Sequence, residues 1–289
     1  DGGEQFLEPE EWLSAGSAGN RNPYSRSGQH EFFLDFNGDG RSDYLFFPDG
    51  GEDWYIATSV GTGFENNDSE VLIDKGDAST NSLISTNGQH ETFMDINNDG
   101  YLDFVYRPSG TDEIWAIRAT GDEQDQFKDA IKWLSKGDAD GSDPFSAEGR
   151  YESYADVNGD GLADRIWKPS NKDQLFVALS DGLRLEQPVS WLNKSDIGLN
   201  VFSTNGRYQF FLDVNRDGLS DFLYYPHQSD GLYVAYSTGS SFAAPQKLLD
   251  NTVNGINSFS ANFVHDKFGD VNGDGVLDKV WRPNGKNKI

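Results

Sequence analysis

The chain has 289 residues, 48 acidic and 23 basic side chains, a formal net charge of −25, and no cysteine. The lack of cysteine excludes disulfides, thiolate metal sites and a cysteine nucleophile. The acidity argues against binding to nucleic acids or anionic membranes, which require basic patches. No apolar run approaches the length of a membrane span, and the opening DGGEQFLEPEEW is not a signal peptide.

Five copies of the phrase Asp-x-Asn-x-Asp-Gly-x-x-Asp divide the chain into repeats. Their first aspartates are 60, 61, 57 and 57 residues apart. Such regular spacing indicates one phrase in each copy of a repeated structural unit. The phrases occupy residues 35–43, 95–103, 156–164, 213–221 and 270–278.

Short strands are predicted around every phrase. An aromatic residue lies two positions ahead of each first aspartate, and an apolar run closed by proline follows each phrase, as in YLFFP. A further strand ends at a Gly turn, and a third run carries Trp12, Trp133 and Trp191 in register. Helical periodicity is absent nearly everywhere, so four strands per copy predict the blade of a β-propeller. The third residue of each proline-closed run is aromatic in all five copies and is predicted to lie in the core. These residues are Phe46, Tyr106, Trp167, Tyr224 and Trp281.

Other recurring side chains receive structural interpretations. Phe47 and Tyr225 follow the core position, so they are predicted to face the other way as surface contacts. His30, His90 and His265 share one repeat position with tyrosines in the other copies. Interchange of histidine and tyrosine favours a packed, hydrogen-bonded ring over catalysis or zinc binding.

The ends of the sequence leave two architectures open. Residues 282–289 align with 107–114, and residues 6–12 align with 127–133, so the sequence starts and stops within a repeat. Either five blades form a ring in which terminal strands share a blade, or the repeats are part of a larger propeller. We expect a single all-β repeat domain over residues 1–289, with about five four-stranded blades.

The phrase has the donor pattern of a calcium loop. Positions 1, 3, 5 and 9 offer side-chain oxygens, position 7 offers a backbone carbonyl, and glycine at position 6 permits a sharp turn. A simple Asn/Asp/Gly turn would explain one copy, but not five copies with every side-chain oxygen retained. About five Ca²⁺ ions are therefore predicted, with these ligands: Asp35, Asn37, Asp39, Arg41, Asp43; Asp95, Asn97, Asp99, Tyr101, Asp103; Asp156, Asn158, Asp160, Leu162, Asp164; Asp213, Asn215, Asp217, Leu219, Asp221; Asp270, Asn272, Asp274, Val276, Asp278.

An EF-hand is excluded by position 12 of each phrase. EF-hand loops require a bidentate glutamate there and flanking helices. The residue at position 12 is the aromatic core residue of the following strand. An acid at that position is also needed by the dockerin variant, which is excluded for the same reason.

Phrases such as DFNGDGRSD, set between an aromatic strand and an apolar-aromatic strand, resemble FG-GAP/VCBS-type repeats. This family includes integrin α-subunit propellers, bacterial toxin subunits and a fungal propeller lectin. The resemblance covers all five copies and implies a β-propeller that holds Ca²⁺ in a loop of each blade. The chain departs from the family in two ways. Family members commonly have seven blades, whereas this chain has five copies, and the FG-GAP motif itself is poorly preserved.

Function is predicted from these features as binding. Five equivalent loops indicate calcium that is structural, because a catalytic metal usually occurs once. We expect a secreted or cell-surface adhesion module whose partner is a glycan or cell-surface ligand, with no nucleic acid and no membrane insertion. Two alternatives remain: a protein-interaction scaffold of a toxin or adhesin assembly, and a carbohydrate-active enzyme. No catalytic residue or organic cofactor is assigned, since no GxSxG, HExxH or GxxxxGK[ST] pattern is present.

Overall fold

The structure is a computed structural model, and the chain divides into two compact units. Unit one comprises residues 1–95 and 99–133, and unit two comprises residues 96–98 and 134–289. The residues that the structure describes are 10–14, 22–23, 29–65, 69–77, 82–85, 90–122, 126–138, 143–146, 151–169, 172–201, 208–253, 256–258 and 266–283. The sequence-predicted runs at 6–9 and 284–289, and His265, lie outside these residues.

Four copies of the repeat form four-stranded antiparallel sheets, here called blades one to four. Blade one contains β1 (Glu31–Leu34), β2 (Asp43–Phe46), β3 (Trp54–Ala57) and β4 (Glu70–Ile73). Blade two contains β5 (Glu91–Met94), β6 (Asp103–Tyr106), β7 (Glu113–Ile117) and β8 (Ile131–Ser135). Blade three contains β9 (Glu152–Ala155), β10 (Asp164–Trp167), β11 (Gln174–Ala178) and β12 (Val189–Asn193). Blade four contains β13 (Gln209–Leu212), β14 (Asp221–Tyr224), β15 (Gly231–Ala235) and β16 (Gln246–Asp250).

The fifth copy is represented by two strands in the described residues. These are β19 (Asp266–Gly269) and β20 (Asp278–Trp281), which pair with each other and are called blade five. A separate two-stranded sheet, β17 (Thr252–Val253) with β18 (Ile256–Asn257), precedes them. Helix in the described ranges is limited to short turns, which include the 3-10 turn Lys75–Asp77 and the α-turn Lys194–Ile197. The predicted all-β class and the four-stranded blades are thus confirmed for four copies.

The second strand of blades one to four is buried along its whole length. The four strands read DYLF, DFVY, DRIW and DFLY, and every residue in them is buried. A continuously buried strand is expected where both faces of a sheet are covered by neighbours. The predicted core aromatics Phe46, Tyr106, Trp167 and Tyr224 are 0% exposed, and Trp281 of blade five is partly buried.

Aromatic side chains form the contact between successive blades within each unit. In unit one, Trp54 of blade one meets Phe93 and Phe104 of blade two, with ring centroids 5.5 and 5.3 Å apart. In unit two, Trp191 of blade three lies 5.2 Å from Phe242 of blade four in an edge-to-face arrangement. Edge-to-face pairs add stability beyond the area that they bury. The interpretation of the recurring aromatics as core is confirmed at these positions.

Phe47 and Tyr225 are not the outward surface contacts that alternation along the strand predicted. Phe47 is only 6% exposed and meets Trp54 edge-to-face at 5.7 Å. The Tyr225 hydroxyl donates to the carbonyl of Ser229 at 2.9 Å and contacts the Asn251 side chain at 2.8 Å. Phe47 does face away from Phe46, since it packs with Leu45 and Trp54 while Phe46 packs with Tyr44 and Tyr55. The surface prediction fails because the second face of the sheet is covered as well.

The repeat position shared by histidine and tyrosine links neighbouring blades. His30 Nδ1 lies 2.8 Å from the Glu91 carboxylate, which belongs to the first residue of the next blade. Tyr208 holds the same place in blade four, and its hydroxyl lies 3.4 Å from the Asp266 carboxylate of blade five. The packed, hydrogen-bonded interpretation is therefore confirmed at these two positions.

Blade three contains a buried cation in place of the aromatic residue found in blades one, two and four. The side chains of Arg165 and Glu152 are 2% and 8% exposed and form an ion pair at 3.2 Å. Arg165 also donates to the Tyr154 hydroxyl and to the carbonyl of Pro144, both at 2.8 Å. Its guanidinium lies 5.5 Å from the centre of the Trp167 ring. The surrounding hydrogen bonds and rings offset the cost of removing this charge from water.

Glu152→Gln should destabilise unit two, because it leaves the Arg165 charge buried without its counter-charge. We expect the free energy of unfolding in urea to fall by about 3 kcal/mol. Glu186→Gln, at an exposed glutamate on the same blade, is the matched control and should change it by less than about 0.5 kcal/mol. Equal effects of the two substitutions would contradict this role of Glu152.

Candidate calcium loops and ligand pocket

Each aspartate-rich phrase forms the loop between the first and second strands of its blade. The phrases are called loops one to five in chain order. Glycine at position 6 has a left-handed backbone in every loop, with φ between 74° and 89°. That conformation favours glycine because it has no Cβ. Position 4 is left-handed as well, and in loops two and four it is filled by Asn98 (φ 58°) and Arg216 (φ 65°).

The first aspartate of each loop accepts backbone N–H groups from its own turn. In loop one, Asp35 Oδ1 accepts from Asp39 N at 3.0 Å and Oδ2 accepts from Gly40 N at 2.9 Å. The bond from the position 6 nitrogen recurs in all five loops. Slight burial raises the pKa of Asp270, but the N–H groups that it accepts outweigh this effect, so the pKa lies below its usual value.

The carboxylate at position 5 is held by internal donors. In blade three, Asp160 Oδ1 accepts from Leu162 N and Oδ2 accepts from the Asn158 amide, both at 2.8 Å. The same amide bond is present in loops four and five. In loop one, Asp39 Oδ2 forms an ion pair with the Arg41 guanidinium instead of accepting from an asparagine amide. A bound cation would compete with these amide and guanidinium donors for the position 5 oxygen.

The aspartate at position 9 is the most buried carboxylate of the loop. Asp164 is 0% exposed, and its two oxygens accept from Val157 N at 3.0 Å and Ser180 N at 2.8 Å. Val157 is position 2 of the same loop, and Ser180 follows the third strand of the blade. Asp43 and Asp221 accept the same pair of bonds, one from position 2 of the loop and one from a residue just after the third strand. Asp103 accepts the bond from the residue just after the third strand, and Asp278 accepts the bond from position 2.

Burial controls the titration of this aspartate. Burial raises the pKa of Asp164 to about 6; the two backbone N–H groups oppose this shift, while Asp160 and Asp156 add to it by repulsion. Burial raises the pKa of Asp221 in the same way. Removing these carboxylates from water without a nearby cation is therefore costly, and the accepted N–H groups recover only part of that cost.

The loops match calcium in donor chemistry and backbone shape. Carboxylate, amide and carbonyl oxygens are the ligands calcium prefers, and the left-handed glycine supplies the turn found in such loops. Each carboxylate oxygen has two lone pairs, so one that accepts an N–H can also bind a cation. Across the described ranges, no three His, Asp or Glu side chains converge as a metal-holding group. The carboxylates at positions 5 and 9 instead accept hydrogen bonds from N–H donors of their own blade.

Neighbouring loops of unit two are hydrogen-bonded to one another. Ser220 N, at position 8 of loop four, donates to the carbonyl of Asp156 in loop three at 2.9 Å. The Arg216 guanidinium of loop four donates to the carbonyl of Asp274 in loop five at 3.0 Å. These bonds involve residues predicted as ligands, so the loops are not independent of each other.

A cavity of about 270 Å³ lies in unit one between blades one and two. Tyr101, at position 7 of loop two, is 46% exposed and forms part of its wall. The ring of Tyr101 lies so close to Gly121 that a Cβ on this glycine would come within 2.3 Å of it. The other lining residues combine apolar, amide, hydroxyl and carboxylate groups: Phe36, Asn37, Ile56, Thr58, Glu70, Leu72, Leu102, Ala119, Gly121, Asp122 and Gln126.

Sequence reasoning did not identify this cavity, although Asn37 and Tyr101 were named as calcium ligands. The cavity combines residues about 60 positions apart, from two copies of the repeat, so it is not visible within one copy. One sequence signal was available. Five residues, DEQDQ, lie between Gly121 and Phe127, whereas only two residues lie between the equivalent glycine and apolar residue of blades one, three and four.

The fold is similar to that of a known lectin structure. No protein-family model matches the chain, and no curated protein matches its sequence. An Agrocybe aegerita lectin, solved for its specific recognition of non-reducing terminal N-acetylglucosamine, matches with a TM-score of 0.59 and 22% identity. The match covers 86% of this chain and 59% of the lectin chain. At this identity the likeness shows the fold alone, a propeller-like fold of four-stranded antiparallel sheets.

Two toxin structures match more weakly. The Photorhabdus luminescens Tc holotoxin pore gives a TM-score of 0.39 and 16% identity, over 90% of this chain and 13% of the toxin chain. The TcdB2–TccC3–Cdc42 structure gives a TM-score of 0.33 and 16% identity, over 87% and 13%. These values are too low to support an argument. Among the described residues, no helix is long and apolar enough to cross a membrane.

Asp164→Ala should destabilise the protein even in the presence of a calcium chelator, because it leaves two buried N–H groups without acceptors. We expect the free energy of unfolding to fall by at least about 2 kcal/mol. Asp160→Ala removes a carboxylate of the same loop that is exposed, and should cost less than about 1 kcal/mol under the same conditions. Similar losses in the two variants would show that the backbone bonds of Asp164 contribute little.

Proposed function

We propose that this protein is a secreted or cell-surface glycan-binding module whose blades are stabilised by about five Ca²⁺ ions. The observation that carries the glycan proposal is the cavity of unit one. It places an exposed tyrosine ring beside amide, hydroxyl and carboxylate groups. A sugar presents an apolar face and several hydroxyls, so it needs this combination of a ring and polar partners.

The size of the cavity suits one sugar unit. Its volume of about 270 Å³ lies near the lower limit of about 300 Å³ for pockets that hold drug-sized ligands. The similar lectin recognises terminal N-acetylglucosamine, and this sugar is therefore the first candidate ligand. Glycan binding would serve adhesion to a surface or a soluble polysaccharide.

Calcium supports this function by holding the loops. Residues at positions 1, 3, 5 and 9 would supply side-chain oxygens, and the carbonyl at position 7 would supply another. A bound divalent cation would neutralise the clustered carboxylates. Its effect on the cavity would be direct, since Asn37 of loop one and Tyr101 of loop two both line it.

A glycan array that includes sugars ending in N-acetylglucosamine tests the binding proposal. Specific signals are expected in calcium, and Tyr101→Ala should weaken binding about tenfold or more, or about 1.4 kcal/mol. The control is Phe33→Ala, which removes an aromatic side chain of unit one that is 69% exposed but does not line the cavity. Uniformly blank arrays would contradict glycan binding and favour a protein-interaction module.

Chelation tests the calcium proposal separately. Each loop occupied at about one hundred times its Kd would add about 2.7 kcal/mol to stability. We therefore expect a chelator to lower the melting temperature by at least about 5 °C, and added Ca²⁺ to restore it while Mg²⁺ does not. An unchanged melting temperature would rule out structural calcium, whatever the arrays show.

A further inference from the structure

The hairpin that follows β7 beside the cavity of unit one is longer than its equivalents in blades one, three and four. After β7, seven residues separate the bridge partners Ala119 and Phe127. Only four residues separate the equivalent partners in blades one, three and four. The longer hairpin of blade two supplies Asp122 and Gln126 to the cavity.

Two more lining residues are peculiar to this place in the repeat. Tyr101 is the aromatic residue among those at position 7 of the five loops. The other loops have Arg41, Leu162, Leu219 and Val276 at this position. Glu70 pairs with Ile56 across β3 and β4. At the equivalent register, Val189 stands in blade three and Gln246 in blade four. The Tyr101 ring and the Glu70 carboxylate are therefore residue types that the equivalent positions named here do not share.

The charge of the cavity is negative. Glu70 and Asp122 both line it, and both are exposed to solvent. Its described lining residues include no Lys, Arg or His. The whole chain has a net charge of −25, which adds to the negative potential at the site. A cationic group is therefore favoured there over a neutral group of the same size.

We propose that this cavity binds a glycan bearing a protonated amine, such as a terminal glucosamine, more tightly than the N-acetylated sugar. The ammonium group would be attracted by the carboxylates of Glu70 and Asp122 and by the face of the Tyr101 ring. One charge pair about 4 Å apart in a water-like medium corresponds to about a fivefold gain in affinity. This inference rests on the proposed glycan-binding function and specifies the ligand class for the same site.

The test compares short oligosaccharides of glucosamine and of N-acetylglucosamine of equal length. Binding to the full chain is measured by calorimetry in calcium at low salt and mildly acidic pH, where the sugar amine is protonated. We expect the glucosamine oligomer to bind at least about fivefold more tightly. Glu70→Gln and Asp122→Asn should each reduce that affinity about fivefold and change binding of the N-acetylated oligomer less than about twofold.

Asp49→Asn is the matched control, because Asp49 is an exposed carboxylate of unit one that does not line the cavity. Equal losses in this variant and in Glu70→Gln would mean attraction to the acidic surface as a whole, and would overturn the inference. Equal or tighter binding of the N-acetylated oligomer would overturn it too, while leaving the glycan-binding function intact. Binding of neither oligomer would contradict both proposals.

Discussion

The loops depend on a buried carboxylate that accepts two backbone N–H groups. The aspartate at position 9 connects the start of its loop to the chain that leaves the third strand of the blade. Because both partners are main-chain groups, the bond is indifferent to side-chain variation around it. Its cost is the dehydration of a charge, and this is where a nearby cation would stabilise the folded state most. The same constraint therefore connects blade geometry with the proposed calcium.

Packing between blades provides the second constraint. Large rings from one blade insert against the next, as Trp54 does against Phe93 in unit one. Trp54 also meets Phe104, and the repeat position of Phe104 holds a cation in blade three, where Glu152 and three aromatic rings surround Arg165. Across blades one to four this position thus holds a large, buried side chain, but not always an aromatic one. Such tolerance explains why the copies differ in sequence while their strands remain in register.

The sequence was a good guide to elements within one copy and a poor guide to contacts between copies. Alternating oxygens predicted the loops, and recurring aromatics predicted the buried strands, since both signals are local. The aspartate at position 9 was predicted as a calcium ligand. Its hydrogen bond from a backbone N–H 16 residues away, as from Ser180 to Asp164, has no signal in the local sequence. Phe47 was predicted to be a surface contact because alternation gives the face of a side chain but not whether a neighbour covers that face. The cavity required two copies to be brought together, which no pattern inside one copy encodes.

The longer hairpin of blade two leaves the frame of its repeat unchanged. Its bridge Ala119–Phe127 takes the place of Ser59–Phe64 in blade one, and Asp103 accepts from Ala119 N as Asp43 accepts from Ser59 N. One copy can therefore differ at its rim while the buried carboxylate below it keeps its bond. A repeat protein built in this way can combine several different specificities on one scaffold.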